Sequence, residues 1–225
     1  PLFKNYEQTH YNEIQTKTIS ENLKYFSNTI KEIAKNKAMW LFMLAFFFYI
    51  DGVNTIIEVA TAFGEAKDLG SVGLLGALLL MQVVAFPATL MMNKLAYRFG
   101  THNIIGLSIV GYILISVFAL FLDNIAEFFI MAFCVGLFQG TLQALSRSYF
   151  GRMVPKKKTG EYFGLLDVFS KGSTIIGTAS IAVFTTIFHS TMAVPIVLIV
   201  VFGLGLLLFA LSVKVHIYDS PVGDQ

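Results

Sequence analysis

Charged residues and cysteine are both scarce in this sequence. Only 13 % of its 225 residues are Asp, Glu, Lys or Arg, whereas 56 % are hydrophobic and the mean hydropathy is +0.70. A soluble domain carries about 25 % charged residues, so this composition indicates an integral membrane protein. The single cysteine, Cys134, excludes a disulfide within the chain, and the four histidines lack metal-ligand spacing. We therefore predict no metal site and no cofactor.

Long apolar runs, by contrast, recur along most of the chain. Each is long enough to cross a bilayer as an α-helix, and a helix satisfies its own backbone hydrogen bonds in lipid. Strand-like alternation is absent, so we predict an all-α integral membrane fold rather than a transmembrane barrel. The six predicted spans are residues 38–61, 70–92, 103–122, 125–147, 162–188 and 192–213. They form a six-helix transmembrane bundle, residues 38–214, between a polar segment, 1–37, and a short tail, 215–225.

Lysine and arginine are concentrated on one side of the predicted spans. Fourteen of the sixteen lie before the first span, in the second-to-third and fourth-to-fifth connections, or after the sixth. The connections on the other side contain Lys67 and are otherwise acidic. Since Lys and Arg in short loops stay in the cytoplasm during insertion, we predict that both termini are cytoplasmic. This topology also explains the net charge of +2 without a nucleic-acid partner.

The polar segment 1–37 contains one pattern typical of a helix, TISENLKYFSNTIKEIAKNK, residues 18–37. Thr18 and Glu21 fit a capping box at its start. Apolar residues then recur at helical spacing against lysines, which suits an amphipathic helix on the cytoplasmic membrane surface. A solvated linker leading into the first span is the alternative.

The first span contains acids within an apolar run, FFFYIDGVNTIIEVATAFG, residues 46–64. Asp51, Asn54 and Glu58 follow helical spacing and form one polar stripe. A charged carboxylate at the bilayer centre costs about 2.5–3.5 kcal/mol on insertion scales, so the stripe should face protein or a water-filled cavity. Two structural alternatives remain for Asp51: capping a helix broken at Gly52, or permanent pairing with a lysine.

The fifth span repeats the pattern in GEYFGLLDVFSKGSTIIGTAS, residues 160–180. Asp167, Lys171, Thr174 and Thr178 follow helical spacing. Lys171 is predicted deep in the membrane, where it needs an anion. That anion could be Asp167 in a purely structural i, i+4 pair, Asp51, or the carboxylate of a ligand.

The fourth span carries amides and an arginine on a face that also contains glycines. Gln139, Gln143 and Arg147 share this face with Gly136 and Gly140. The glycine spacing allows close helix packing, whereas the two amides would line a solute path. Spans three and six contain no charged residue, which predicts lipid-facing supports.

A six-helix unit whose third and sixth helices lie outside the pathway resembles one half of a major facilitator superfamily transporter. The segment NKLAYRFG, residues 93–100, is similar to that superfamily's cytoplasmic G-x-L-x-D-R-x-G loop, with Arg98 and Gly100 in register. It departs at Asn93 and Tyr97, which stand where Gly and Asp are expected, so this segment lacks the acid on which that superfamily's gating salt bridge is built.

A second segment, SRSYFGRMVPKKKTGEYFG, residues 146–164, resembles the loop between the fourth and fifth helices of such a half. Arg147 and Arg152 stand at family-like positions. The resemblance implies that these two arginines, with Arg98 and Gly100, belong to cytoplasmic gating loops.

More narrowly, YIDGVNTIIEVATAFG and ALSRSYFGRMVPKKKTGEYFGLLDVFSKG resemble bacterial relatives of the fungal vacuolar amino-acid effluxer family linked to autophagy. This resemblance implies the C-terminal half of a transporter in a bacterial cell membrane, with a missing N-terminal six-helix half as its partner. It implies alternating access for a small polar solute, an amino acid foremost, with H⁺ coupling left open. Lys171 and the amides of Gln139 and Gln143 would then meet the solute, while Asp51 binds its ammonium group or carries a proton.

Two other functional classes are alternatives to transport. An intramembrane serine protease needs a nucleophile, a base and an oxyanion hole, and the sequence has no Gly-x-Ser-Gly motif. We therefore predict that the protein is not an enzyme. The remaining alternative is a stand-alone six-helix channel or membrane assembly subunit that acts as a homodimer.

Overall fold

A computed structural model describes residues 19–66, 70–122, 124–188 and 193–219, whose regular elements are all helical. The all-α prediction is confirmed. The helices are α1 Ile19–Lys35, α2 Lys37–Ala66, α3 Gly70–Phe99, α4 Thr101–Ala119, α5 Ile125–Met153, α6 Thr159–Phe188 and α7 Ala193–Asp219, with a single 3₁₀ turn at Lys156–Lys158.

Five stretches within these helices are long and apolar enough to cross a membrane. They are Lys37–Glu58, Val72–Phe99, Thr101–Ala119, Ile125–Met153 and Val194–Ile217. The predicted fifth span, 162–188, coincides with α6, but several side chains toward the end of α6 lie outside the described part. Its membrane crossing therefore stays a prediction.

The connections at the basic end of the bundle are shorter than the predicted loops. The segment 93–100 is helical except at Gly100, whose φ of +91° favours glycine and ends α3. Nothing else in this segment breaks a helix, so Arg98 lies in the last turn of α3. At the other predicted loop, α5 continues to Met153 and Pro155 precedes the 3₁₀ turn. The expectation that both segments are loops is thus wrong for most of their length.

Helix α1 is docked against the bundle. Its residues Thr29 and Ile33 are buried, and α1 contacts α2 and α6. Glu32 Oε2 accepts a hydrogen bond from Lys158 Nζ at 2.6 Å. That hydrogen bond lowers the pKa of Glu32 below its ordinary value and raises the pKa of Lys158. The solvated-linker alternative therefore does not describe α1.

A single residue, Asn36, separates α1 from α2. Its side-chain Oδ1 accepts a hydrogen bond from the backbone N–H of Met39 at 3.1 Å, which caps the start of α2. The capping box predicted for α1 includes Thr18, which lies outside the described residues.

Helix α2 packs closely on α7 through two glycines. A Cβ atom built on Gly52 would lie 2.7 Å from the ring of Phe202, and one on Gly205 would lie 3.2 Å from the Cβ of Tyr49. Because α2 is continuous through Gly52, the alternative in which Asp51 caps a broken helix is wrong.

Helices α3 and α5 approach closely at the predicted glycine pair. A Cβ atom on Gly136 would lie 2.6 Å from the carbonyl oxygen of Met81, and one on Gly140 would overlap the Thr89 hydroxyl. Close packing through these glycines is therefore confirmed. The face of α3 that points away from the bundle carries a stripe of exposed apolar side chains: Val72, Leu75, Leu79, Val83, Phe86 and Leu90.

Candidate functional site

The polar stripes of α2 and α6 lie against each other. Asn54 Nδ2 donates a hydrogen bond to Thr174 Oγ1 at 2.9 Å, and Thr178 Oγ1 donates to Glu58 Oε2 at 3.3 Å. These four residues were predicted from two separate helical patterns. The fold therefore brings the two patterns together at one interface.

Asp51 is the buried acid of this interface. The residue is only 8 % exposed, and a Cβ atom built on Gly177 would lie 2.7 Å from its carboxyl carbon. Its Oδ1 is buried and accepts no hydrogen bond from any described residue. Nor does Asp51 form an ion pair within this part of the chain, which argues against permanent pairing with a lysine.

Asp167 pairs with an arginine of α5 rather than with Lys171. Arg147 Nη2 donates to Asp167 Oδ1 at 2.8 Å, and both side chains are about half exposed. The structural alternative of an Asp167–Lys171 pair is therefore wrong. The sequence assigned Arg147 to a gating loop and Asp167 to the solute pathway. In the structure these two residues form one contact between α5 and α6.

Lys171 is exposed, and its ammonium group forms no ion pair with the described residues. A cation without an ion pair among these residues remains available to an anionic ligand.

The predicted polar face of α5 contacts two different helices. Gly136 and Gly140 face α3, whereas Arg147 reaches α6. The Oε1 atom of Gln139 is buried and has no hydrogen-bond donor among the residues described, and Gln143 is exposed. Gln143 is therefore accessible to another molecule, whereas Gln139 Oε1 is a buried acceptor with unused hydrogen-bonding capacity.

The remaining predicted gating residues lie at helix ends. Arg98 is exposed and its guanidinium lies 5.6 Å from the ring centroid of Phe99, a cation–π contact. Arg152 is exposed in the last turn of α5, and Gly100 joins α3 to α4. Their gating role stays a prediction.

Two contacts at the site are not apparent from the sequence pattern. The buried Tyr49 hydroxyl donates to Ser146 Oγ at 2.8 Å, linking α2 to α5. Gly177, which accommodates the Asp51 carboxylate, stands among the threonines of the α6 stripe. A glycine on a polar helical face is the one signal that could have indicated close approach of a partner.

Comparison with known proteins gives consistent matches over most of the chain. The family model described as "Vacuole effluxer Atg22 like" matches residues 4–217. The "Uncharacterized MFS-type transporter YxiO" of Bacillus subtilis is 37 % identical over 210 residues, which cover 93 % of this chain and 49 % of that protein. The "Autophagy-related protein 22" of Saccharomyces cerevisiae strain S288c is 29 % identical over 166 residues, covering 68 % and 31 % respectively.

The chain spans about half the length of the bacterial relative and less of the fungal ones. These matches confirm the resemblance on which the sequence-based prediction rested. They also describe transporters and not enzymes, in agreement with the prediction that this protein is not an enzyme. With its apolar helices, the chain is an integral membrane protein, and it belongs to the Atg22-like family of MFS-type transporters.

Proposed function

We propose that this chain is one six-helix half of a secondary transporter that moves a small polar solute, an amino acid foremost, by alternating access. The observation that carries the proposal is the meeting of the polar faces of α2 and α6 inside a largely apolar bundle. The MFS-type relative supports it, since this chain matches about half of that protein. In such transporters the solute site lies near the bilayer midplane between two halves.

Lys171 provides the contact for the solute carboxylate in this proposal. Its exposed ammonium group has no ion pair among the described side chains, and charge-assisted hydrogen bonds to carboxylates are strong. Gln139 and Gln143 add amide donors and acceptors from α5. A zwitterionic solute can therefore contact a cation on α6 and neutral hydrogen-bonding groups on α5.

A second six-helix half would complete the pathway. The exposed apolar stripe of α3 is suited to lipid or to a neighbouring membrane helix. Rocking of two halves would open the solute site alternately to each side. The Arg147–Asp167 contact, close to the basic end of the bundle, would then be remade or broken as the halves move.

The test uses the full-length protein that contains this chain, reconstituted in proteoliposomes, with a panel of radiolabelled amino acids. Lys171→Gln should raise KM for a carboxylate-bearing solute by about tenfold or more, because a hydrogen bond to a charged group contributes about 1.5–3 kcal/mol. Lys171→Arg should retain part of the affinity. Lys214→Gln removes an exposed cation near the end of α7 and is the matched control.

Unchanged uptake kinetics in Lys171→Gln would rule out this solute contact. A flux that rises linearly with solute concentration, without saturation, would contradict alternating access. It would favour the homodimeric channel instead.

A further inference from the structure

An ion pair between α5 and α6 lies one helical turn from Lys171, the proposed solute contact. Arg147 Nη2 donates to Asp167 Oδ1 at 2.8 Å, and both side chains are about half exposed. Lys171 follows Asp167 by four residues on α6, which is about 6 Å along the helix axis. Two cations and one anion therefore stand together, with one positive charge in excess.

Arg147 determines which cation of this group the Asp167 carboxylate contacts. Within α6 alone, Asp167 and Lys171 would be neighbours at i, i+4. In the bundle Asp167 is bonded to Arg147 instead, and Lys171 forms no ion pair with a described residue. The planar guanidinium presents a fork of donors that fits a carboxylate better than a flexible ammonium group does. Arg147 thus prevents Asp167 from neutralising Lys171, which remains available to a solute.

The paired Asp167 carboxylate also restricts the charge of that solute. A solute carboxylate bound to Lys171 would lie about 6 Å along the helix axis from Asp167. A second carboxylate on the same solute would approach the Asp167 carboxylate, and like charges repel most strongly where water is partly excluded. Arg147, the other cation of the group, is already engaged. A second negative charge therefore meets repulsion and no available cation among these three residues.

We propose that the Arg147–Asp167 pair makes the transporter selective for amino acids with a single carboxylate and excludes acidic ones. Asp167 is the specificity-determining residue, because it takes the place at Arg147 that a second solute carboxylate would otherwise occupy. Arg147 is a positioning residue, because it acts on the solute contact through Asp167. This inference rests on the proposed function and deepens it by naming the substrate class.

Removal of the Asp167 charge should create a site for a dicarboxylate. Four C–C bonds separate the two carboxyl carbons of glutamate, roughly 5 Å in an extended chain. This distance is close to the rise of about 6 Å between positions 167 and 171. In Asp167→Asn, Lys171 and Arg147 would each bind one carboxylate of the same solute.

Competition by unlabelled glutamate measures this selectivity in the full-length protein in proteoliposomes. The labelled solute is the neutral amino acid that the native protein takes up fastest. We expect Asp167→Asn to lower the inhibition constant of glutamate at least about tenfold, the effect of one hydrogen bond to a charged group. The KM of the neutral amino acid should change much less. Glu161→Gln, which removes a partly exposed acid in the first turn of α6, is the matched control and should keep the native selectivity.

A second variant tests the role of Arg147. Arg147→Gln leaves Asp167 to pair with Lys171, so the KM of the neutral amino acid should rise about tenfold through loss of the charged contact. Adding Asp167→Asn removes the competing carboxylate and should return the KM toward the native value. It should not produce the gain in glutamate inhibition, because that gain needs the Arg147 guanidinium. Damage to the fold would give no such rescue.

Several results would overturn this selectivity. They are equal competition by glutamate and the neutral amino acid in the native protein, unchanged glutamate inhibition in Asp167→Asn, or the same gain in Glu161→Gln. An elevated KM that persists in the double variant would overturn the role of Arg147. Asp167→Ser removes the same charge if Asp167→Asn fails to fold. Saturable uptake of neutral amino acids with none of these selectivity changes overturns the inference alone, whereas absence of amino-acid uptake by the native protein overturns the proposed function and the inference with it.

Discussion

Asp51 and Gly177 together show how a carboxylate is accommodated between α2 and α6. An acid of this kind is usually expected to pair with a cation, yet no described lysine or arginine is bonded to Asp51. Instead, the absence of a side chain at Gly177 lets the carboxylate lie against α6. Because burial of an unpaired charge destabilises a fold, stability alone does not explain an acid at this position.

The buried Tyr49–Ser146 hydrogen bond allows a prediction at the same scale. Tyr49→Phe removes the donor and leaves Ser146 Oγ without it, so the free energy of unfolding should fall by about 1 kcal/mol. In a double-mutant cycle with Ser146→Ala, the coupling should be about 0.6 kcal/mol and no more than about 1.7 kcal/mol, as for membrane hydrogen bonds generally. The measurement is unfolding of the purified protein in mixed micelles.

Tyr112→Phe is the matched control for this cycle. The Tyr112 hydroxyl is buried but has no hydrogen-bond partner among the residues described. Its removal should therefore leave stability unchanged or raise it. Equal losses in Tyr49→Phe and Tyr112→Phe would show that the Ser146 contact contributes nothing.

At the scale of helices, glycine decides how closely α3 and α5 pack. A Cβ atom at position 136 would lie 2.6 Å from a backbone oxygen of α3, which cannot move aside as a side chain can. We expect Gly136→Ala to destabilise the protein by about 1–3 kcal/mol, the usual cost of overpacking. Gly164→Ala on α6 meets nothing within 4 Å and should be neutral or stabilising by about 0.5–1 kcal/mol. Thermal unfolding of both variants in detergent compares them, and a similar Tm for the two would contradict close packing at Gly136.

The positions of the helices could be predicted because a membrane imposes a length on each apolar run. Their ends could not, since Gly100 alone turns the chain between α3 and α4 where a longer loop was expected. The ion-pair partner of Asp167 could not be predicted from the sequence either. Lys171 is its neighbour at i, i+4, but Arg147 lies on another helix, and only the tertiary packing determines which cation is closer.

For the whole molecule, the distribution of polar groups is more informative than their number. The α2 and α6 stripes could be predicted one helix at a time from helical spacing. That Asn54 meets Thr174 and Glu58 meets Thr178 required the packing of α2 on α6. The polar interface between α2 and α6 therefore belongs to the assembled bundle and to neither helix alone.

The membrane orientation of the bundle gives the prediction that concerns the whole molecule. Positions 126 and 156 are both exposed; the first lies at the start of α5 and the second three residues beyond its end. Because Arg152, Lys156 and Lys158 cluster at the second end, that end should be cytoplasmic. In a Cys134→Ala background of the full-length protein, an impermeant maleimide should label Ala126→Cys in intact cells and Lys156→Cys only after permeabilisation. The reverse pattern would contradict the predicted topology. It would place the Arg147–Asp167 contact on the outer side, where it could no longer belong to a cytoplasmic gate.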